Sequence, residues 1–128
     1  MILLDTHAWI WWWAAGRTQL SHSARRAIET ADQIGIAAIS CWEVAFLERR
    51  RRIALDRDTL SWIQQALSEE RTQLLDLTPE IAVATVSLPW DNPDPADRMI
   101  VATGLTHNAA IVSKDERMRR FLPAHVIW

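Results

Sequence analysis

The sequence of 128 residues predicts an α/β fold: one domain, residues 1–128, built on a parallel sheet of four or five strands with helices on both faces. Three observations predict it. Short apolar runs alternate with longer stretches of helical periodicity, which is the pattern of strand–helix–strand units. Most of these runs are followed closely by a residue that caps helices, as at Asp5-Thr6, Ser40, Thr78 and Ser113. The length suits one core large enough to stand without staples, and the single cysteine, Cys41, excludes a disulfide framework within the chain.

Ile2-Leu3-Leu4 reads as a buried strand that ends at Asp5. Thr6 opens a helix carrying Trp9, Trp11, Trp12 and Trp13, which stops near Gly16. Ser21 or Ser23 caps a second helix reaching about Asp32, with Ala24, Ala27, Ile28 and Ala31 on one face. Ile34 to Ile39 reads as the second strand. Ser40 begins the third helix, and Glu43 follows at capping-box spacing. That helix runs into Arg49-Arg50-Arg51-Arg52. Asp58 or Thr59 opens a fourth, with Leu60, Ile63 and Leu67 turned inward.

Leu74 to Leu77 is the third strand. Thr78-Pro79-Glu80 is an N-cap followed by proline at the first helical position, and the helix ends near Leu88-Pro89. Trp90 to Pro95 is a loop. Asp94 caps the next helix, which holds Asp97 in its first turn and ends near Asn108. Ala109 to Val112 is the fourth strand, Ser113 to Glu116 open the last helix, and Val126-Ile127 fits a fifth strand.

The formal charge of −2 excludes a globally basic nucleic-acid binder, so any such role needs a local basic patch. The apolar run from Ala8 to Ala15 is shorter than the ~20 residues a bilayer requires. No basic segment precedes it, so it does not read as a secretion signal. These features point to the cytoplasm and to no membrane partner. Trp9, Trp12 and Trp13 share a helical face and read as core, leaving Trp11 toward an interface.

Placed on this scheme, Asp5, Glu43 and Asp115 fall at or just after strand ends, and Asp97 in the first turn of a later helix. In an open parallel sheet the strand-to-helix junctions lie along one carboxyl edge, where ligands bind at the switch point of strand order. Four carboxylates in one crevice repel one another unless a cation lies between them. Oxygen-only donors suit Mg²⁺ or Mn²⁺. Such an ion polarises a phosphoryl oxygen and acidifies water, with one carboxylate as general base. Each acid also has a structural reading, Glu43 as half of a capping box, Asp94, Asp97 and Asp115 as helix-terminus acids. Asp5 differs, because a carboxylate ending a buried strand is costly unless it is paired or ligated.

Leu4-Asp5-Thr6-His7-Ala8, Ser40-Cys41-Trp42-Glu43-Val44-Ala45, Asp94 through Ala102 and Ile111-Val112-Ser113-Lys114-Asp115 together resemble the PIN-domain toxins of VapC type. The resemblance spans nearly the whole chain in the family's order and spacing. It implies a PIN-like domain and endonucleolytic RNA cleavage at an Mg²⁺ or Mn²⁺ site formed by Asp5, Glu43, Asp97 and Asp115. Thr6 and Ser113 are then polar supports, and Asp94 a cap. It also implies a VapB-like antitoxin partner and a homodimer. The chain departs from the pattern after Glu43: similar toxins often carry a Lys and then a Gly, where this chain has Leu47 and Arg51. Arg49, Arg50 and Arg52 are candidates for RNA phosphate contacts, or equally a solvated helix end. The competing function is a catalytically silent PIN-like binding module whose acidic pocket docks a partner's Arg. Metal-dependent RNA cleavage discriminates the two.

Overall fold

The computed structural model describes residues 1–14 and 16–128. Its strands are β1 (Ile2–Leu4), β2 (Ile34–Ala37), β3 (Thr72–Leu75), β4 (Ala110–Val112) and β5 (Val126–Ile127). The helices are α1 (Thr6–Trp13), α2 (His22–Thr30), α3 (Ala38–Arg49), α4 (Thr59–Leu67), α5 (Pro79–Ser87), α6 (Pro95–Thr106) and α7 (Glu116–Phe121), with a 3₁₀ turn at Arg17–Gln19. All strands are parallel, in the order β3-β2-β1-β4-β5. The chain therefore builds outward from β1 through β2 to β3, crosses back, and adds β4 and β5 on the other side. The reversal leaves a crevice at the carboxyl ends of β1 and β4.

Alternation along the strands feeds two cores. Leu4, Ile34, Ile36 and Val112 pack with Trp9, Ile28, Val44 and Trp62 of α1 to α4 on one face. Leu3, Ile111 and Leu75 pack with Ile100, Val101 and Met118 of α6 and α7 on the other. Gly104 lets α6 approach β4 closely, since a Cβ there would lie 2.8 Å from the Ile111 side chain.

Several expected boundaries move. β2 ends at Ala37, and α3 begins at Ala38 with no side-chain cap. Ser40 is thus an interior helix residue, and the Ser40–Glu43 capping box does not form. β3 starts two residues before the expected Leu74, because an edge strand tolerates the exposed Gln73 and Leu74. In α4 Ile63 and Leu67 pack on the core as expected, beside the buried Trp62 and Ala66, while Leu60 is 63% exposed. Trp11 is not on a free surface; it is half-buried against His7 and Trp128.

The end of α3 explains the departure at Arg51. Its backbone sits in the left-handed region at φ 56°. The Arg52 N–H donates to the Leu47 carbonyl at 2.9 Å and the Arg51 N–H to that of Glu48 at 2.9 Å. This is a Schellman closure, whose left-handed position favours glycine. Arg51→Gly should therefore stabilise the protein by about 1 kcal/mol. The melting temperature should rise by about 4 °C. An unchanged or lower melting temperature would show that the Arg51 side chain makes a compensating contribution.

Candidate active site

Two acids sit on the sheet edge itself. Asp5 directly follows β1, and its backbone N–H donates to the Val112 carbonyl at 3.1 Å, continuing the β1–β4 ladder. Its Oδ1 accepts from the Ala8 N–H at 2.8 Å and so caps α1. Asp115 follows β4; its Oδ1 accepts from the Met118 N–H at 2.9 Å, capping α7, and its own N–H donates to Ser113 Oγ at 3.1 Å. The other two acids come from helices that pack on one another: Glu43 in the second turn of α3 and Asp97 in the first turn of α6. All four, with Thr6, Asp94, Trp11, Lys114 and Arg117 among others, line a single cavity of about 500 Å³. Ser113 lies just behind it and is fully buried.

The supporting bonds are specific. The Thr6 hydroxyl, 2% exposed and hydrogen-bonded to Ser40 Oγ at 3.1 Å, donates to Glu43 Oε1 at 2.5 Å. Ser40, expected as a cap, is thus part of the polar layer behind Glu43. Asp94 caps α6 by accepting from the Ala96 and Asp97 N–H groups at 2.9 and 3.3 Å. Asn92, only 3% exposed, donates from Nδ2 to Asp97 Oδ2 at 3.0 Å, and its Oδ1 accepts from the Asp94 N–H at 3.0 Å.

The segment that carries Asn92 is strapped down by Arg98. Its guanidinium donates to five backbone carbonyls: Thr85 at 3.1 Å, Val86 at 3.3 Å, Leu88 at 2.8 Å, Trp90 at 2.5 Å and Asn92 at 3.0 Å. The fixed fork of Arg suits this; a single ammonium cannot reach so many acceptors.

Burial pushes the Asp5 carboxyl above the usual range; hydrogen bonds from Ser113 and Ala8 pull it back, and the Asp115 charge pushes it up again. Burial also raises Glu43, against the Thr6 bond, and the charges of Asp97, Asp94 and Asp5 raise it further. Asp97 is raised by burial first, against the Asn92 bond, and then by Asp94 and Asp115. Three carboxyls that all resist ionisation describe a hollow short of positive charge. The nearest compensation is Arg117, whose Nη2 lies 3.7 Å from Asp97 Oδ2 and 3.8 Å from Asp115 Oδ2.

The donor set fits a hard divalent cation. The acids offer only oxygens, and the bonds above engage one oxygen of each carboxylate. The second oxygens of Glu43, Asp97 and Asp115 carry no hydrogen bond among the described residues. As they stand, no three Asp, Glu, His or Cys side chains among the described residues are close enough to enclose one ion. Like charges hold apart, with Arg117 the ion-paired cation of the hollow among the described residues, so an ion has to draw the carboxylates inward. Zinc is disfavoured, because no cysteine lines the hollow. Cys41 is half-buried with its thiol pushed up by burial, which removes the thiolate a nucleophile needs.

Arg49, Arg50 and Arg52 lie at and beyond the exposed end of α3 and do not line the acidic cavity. The Arg50 guanidinium sits 4.8 Å above the Phe46 ring, which in turn stacks on Trp42. Asn92, Arg98, Lys114 and Arg117 were not singled out by sequence reasoning. Only Asn92 carried a local signal, its place in an Asn-Pro-Asp-Pro turn.

Residues 2–121 match the family model described as PIN domain. Ribonuclease VapC22 of Mycobacterium tuberculosis is 44% identical over 119 residues, covering 92% of this chain and 89% of that protein. Among solved structures, a toxin-antitoxin complex from Klebsiella pneumoniae superposes with a TM-score of 0.71 at 20% identity, covering 100% of this chain and 97% of its own. VapBC2 from Rickettsia felis, bound to a DNA fragment from its promoter, superposes with a TM-score of 0.70 at 16% identity, covering 98% and 97%. At these identities the two structures bear on the fold.

Proposed function

The chain belongs to the PIN-domain family, and we propose that it is a metal-dependent endoribonuclease, the toxin of a VapBC-type toxin–antitoxin module. The observation that carries this reading is the convergence of Asp5, Glu43, Asp97 and Asp115 on one cavity at the switch point of the sheet. Its resemblance to Ribonuclease VapC22 supports RNA as substrate. A VapB-like antitoxin and a homodimeric toxin follow from the toxin–antitoxin complexes that share the fold. No helix among the described residues is long and apolar enough to cross a membrane, and we place the activity in the cytoplasm.

Asp5, Asp97 and Asp115 are assigned to holding Mg²⁺ or Mn²⁺, with Glu43 reaching the ion or its water. When bound, the ion supplies a Lewis acid for the phosphoryl oxygen and acidifies water. The protein's own residues do the rest. Glu43, its Oε1 pinned by Thr6, offers Oε2 as acceptor for the proton of the attacking water. Thr6 and Ser113 fix the carboxylates of Glu43 and Asp5. Arg117, held beside Asp97 and Asp115, would meet a phosphate brought into the cavity. Arg49, Arg50 and Arg52 are assigned to more distant RNA phosphates.

The test is cleavage of cellular RNA by the purified chain with Mn²⁺, with EDTA, and with Asp115→Asn. Cleavage only with the ion and the intact acid is expected. Cleavage that survives both EDTA and Asp115→Asn sinks the mechanism, and absence of cleavage with every ion tried leaves the silent binding module as the better account.

A further inference from the structure

Beside the acidic cavity lies a second hollow of about 580 Å³, lined by Pro89, Trp90, Asp91, Arg117, Arg120 and Phe121. Its size falls within the roughly 300–1,000 Å³ of small-ligand sites. Arg117 lines both hollows, so they adjoin across it. Trp90 and Phe121 stack with their rings 6° from parallel and 5.0 Å apart, and both stay half-buried. The Trp90 ring is held on a fixed backbone, because Arg98 grips the carbonyls of Leu88, Trp90 and Asn92 on either side. Arg120 is exposed and makes no side-chain hydrogen bond or ion pair among the described residues.

A rigid aromatic pair flanked by two guanidiniums, beside the reaction cavity, is the combination that binds single-stranded nucleic acid: rings for bases and cations for the backbone. We propose that this second hollow is a nucleotide subsite for the RNA strand next to the scissile phosphate. In it a base stacks on the outer face of the Trp90–Phe121 pair, Arg120 takes the adjacent phosphate, and Asp91 accepts from a ribose 2′-hydroxyl. The proposal rests on the ribonuclease reading and extends it to a surface none of the four acids occupies. Charge selects the occupant. Arg120, which makes no ion pair among the described residues, leaves a cation there for a phosphate, whereas Arg117 is already shared with Asp97 and Asp115 of the acidic cavity.

The experiment measures the anisotropy of a fluorescein-labelled oligouridylate on the full chain in EDTA, which suppresses cleavage, across a series of salt concentrations. Arg120→Glu is expected to weaken binding about tenfold. It should also flatten the slope of log affinity against log salt by about 0.7. Trp90→Leu is expected to weaken binding about fivefold or more, and to make no further difference to an abasic oligomer of the same length. Thermal melts confirm that each variant is folded. If Trp90→Leu fails to fold, Arg120→Glu alone decides. A folded Arg120→Glu protein with unchanged affinity and salt slope overturns the subsite. So does Trp90→Leu acting equally on the abasic oligomer. Failure of the ribonuclease reading looks different: the unaltered chain then cuts no RNA with any ion, whatever its binding.

Discussion

Asp5→Asn should abolish metal-dependent RNA cleavage while raising the melting temperature of the metal-free protein. The two effects separate because Asn keeps what the fold uses and removes what the ion uses. Its side-chain oxygen still accepts from the Ala8 N–H and still caps α1. The negative charge, which burial and Asp115 both oppose, is gone. Loss of a ligand should lower metal-dependent activity by at least about a hundredfold, since even outer partners of metal ligands are worth 10–100-fold. The stability effect has a pH signature. Asp5, Glu43 and Asp97 all have raised pKa values in the folded protein. The native state therefore binds protons more tightly than the unfolded chain, and stability falls as pH rises from about 4 through the folded values. Asp56, Asp58 and Glu69 are shifted down, so their contribution is lost only at lower pH, outside that window. Melting temperatures in EDTA should decline with pH across the upper window, less steeply in Asp5→Asn. If the variant melts lower than the parent with an unchanged slope, Asp5 is stabilising the fold as an anion and the electrostatic account fails.

Arg98→Ala should be the most destabilising substitution at any half-exposed position, costing about 3 kcal/mol or more. Five carbonyls lose a charged donor together, and the turn from Leu88 to Asn92 has no regular structure to re-form those bonds. Urea denaturation should show a lower midpoint with an unchanged slope. Arg98→Lys should recover only part of the loss, because a single ammonium cannot span acceptors on both sides of the turn. The milder variant also reports on function. Loosening Asn92 frees Asp97, so Mn²⁺ affinity should fall by about 10–100-fold even where the protein is folded. A Lys variant matching the parent in both stability and ion affinity would reduce Arg98 to a generic positive charge.

What could be foreseen from residues alone was whatever depended on short-range chemistry. Asp5 closing an apolar run, Thr78-Pro79 and Asp94-Pro95 each announce a chain reversal into a helix, and parallel strand order then aligns those junctions. The α3 start was misplaced because Ile34 to Ile39 is apolar throughout, and a short apolar run does not distinguish strand from helix. That error assigned Ser40 and Glu43 to each other, when both belong to Thr6 across the sheet edge. β3 slipped because Thr72 and Gln73 are polar yet pair with Ile34 and Gly35 at the sheet's margin. Leu60 and Trp62 exchanged roles in α4 because the larger ring meets Trp9 at 5.3 Å. Asn92, Arg98 and Arg117 were missed for a common reason: their partners lie in or beside an irregular turn, whose path decides which carbonyl or carboxylate each one meets.

The position of β1 at the middle of the sheet bears on the order of assembly. Ile2–Leu4 has one neighbour, Ile34–Ile36, close by in sequence and the other, Ala110–Val112, far along the chain. A chain that has joined only β1, β2 and β3 presents an open edge where β4 belongs, and Asp115 has no place to stand. Long-range parallel pairing of this kind is slow to form. The acidic centre is therefore complete only once β4 has docked on β1, which leaves an interval in which a partly folded chain holds Asp5 and Glu43 without Asp115.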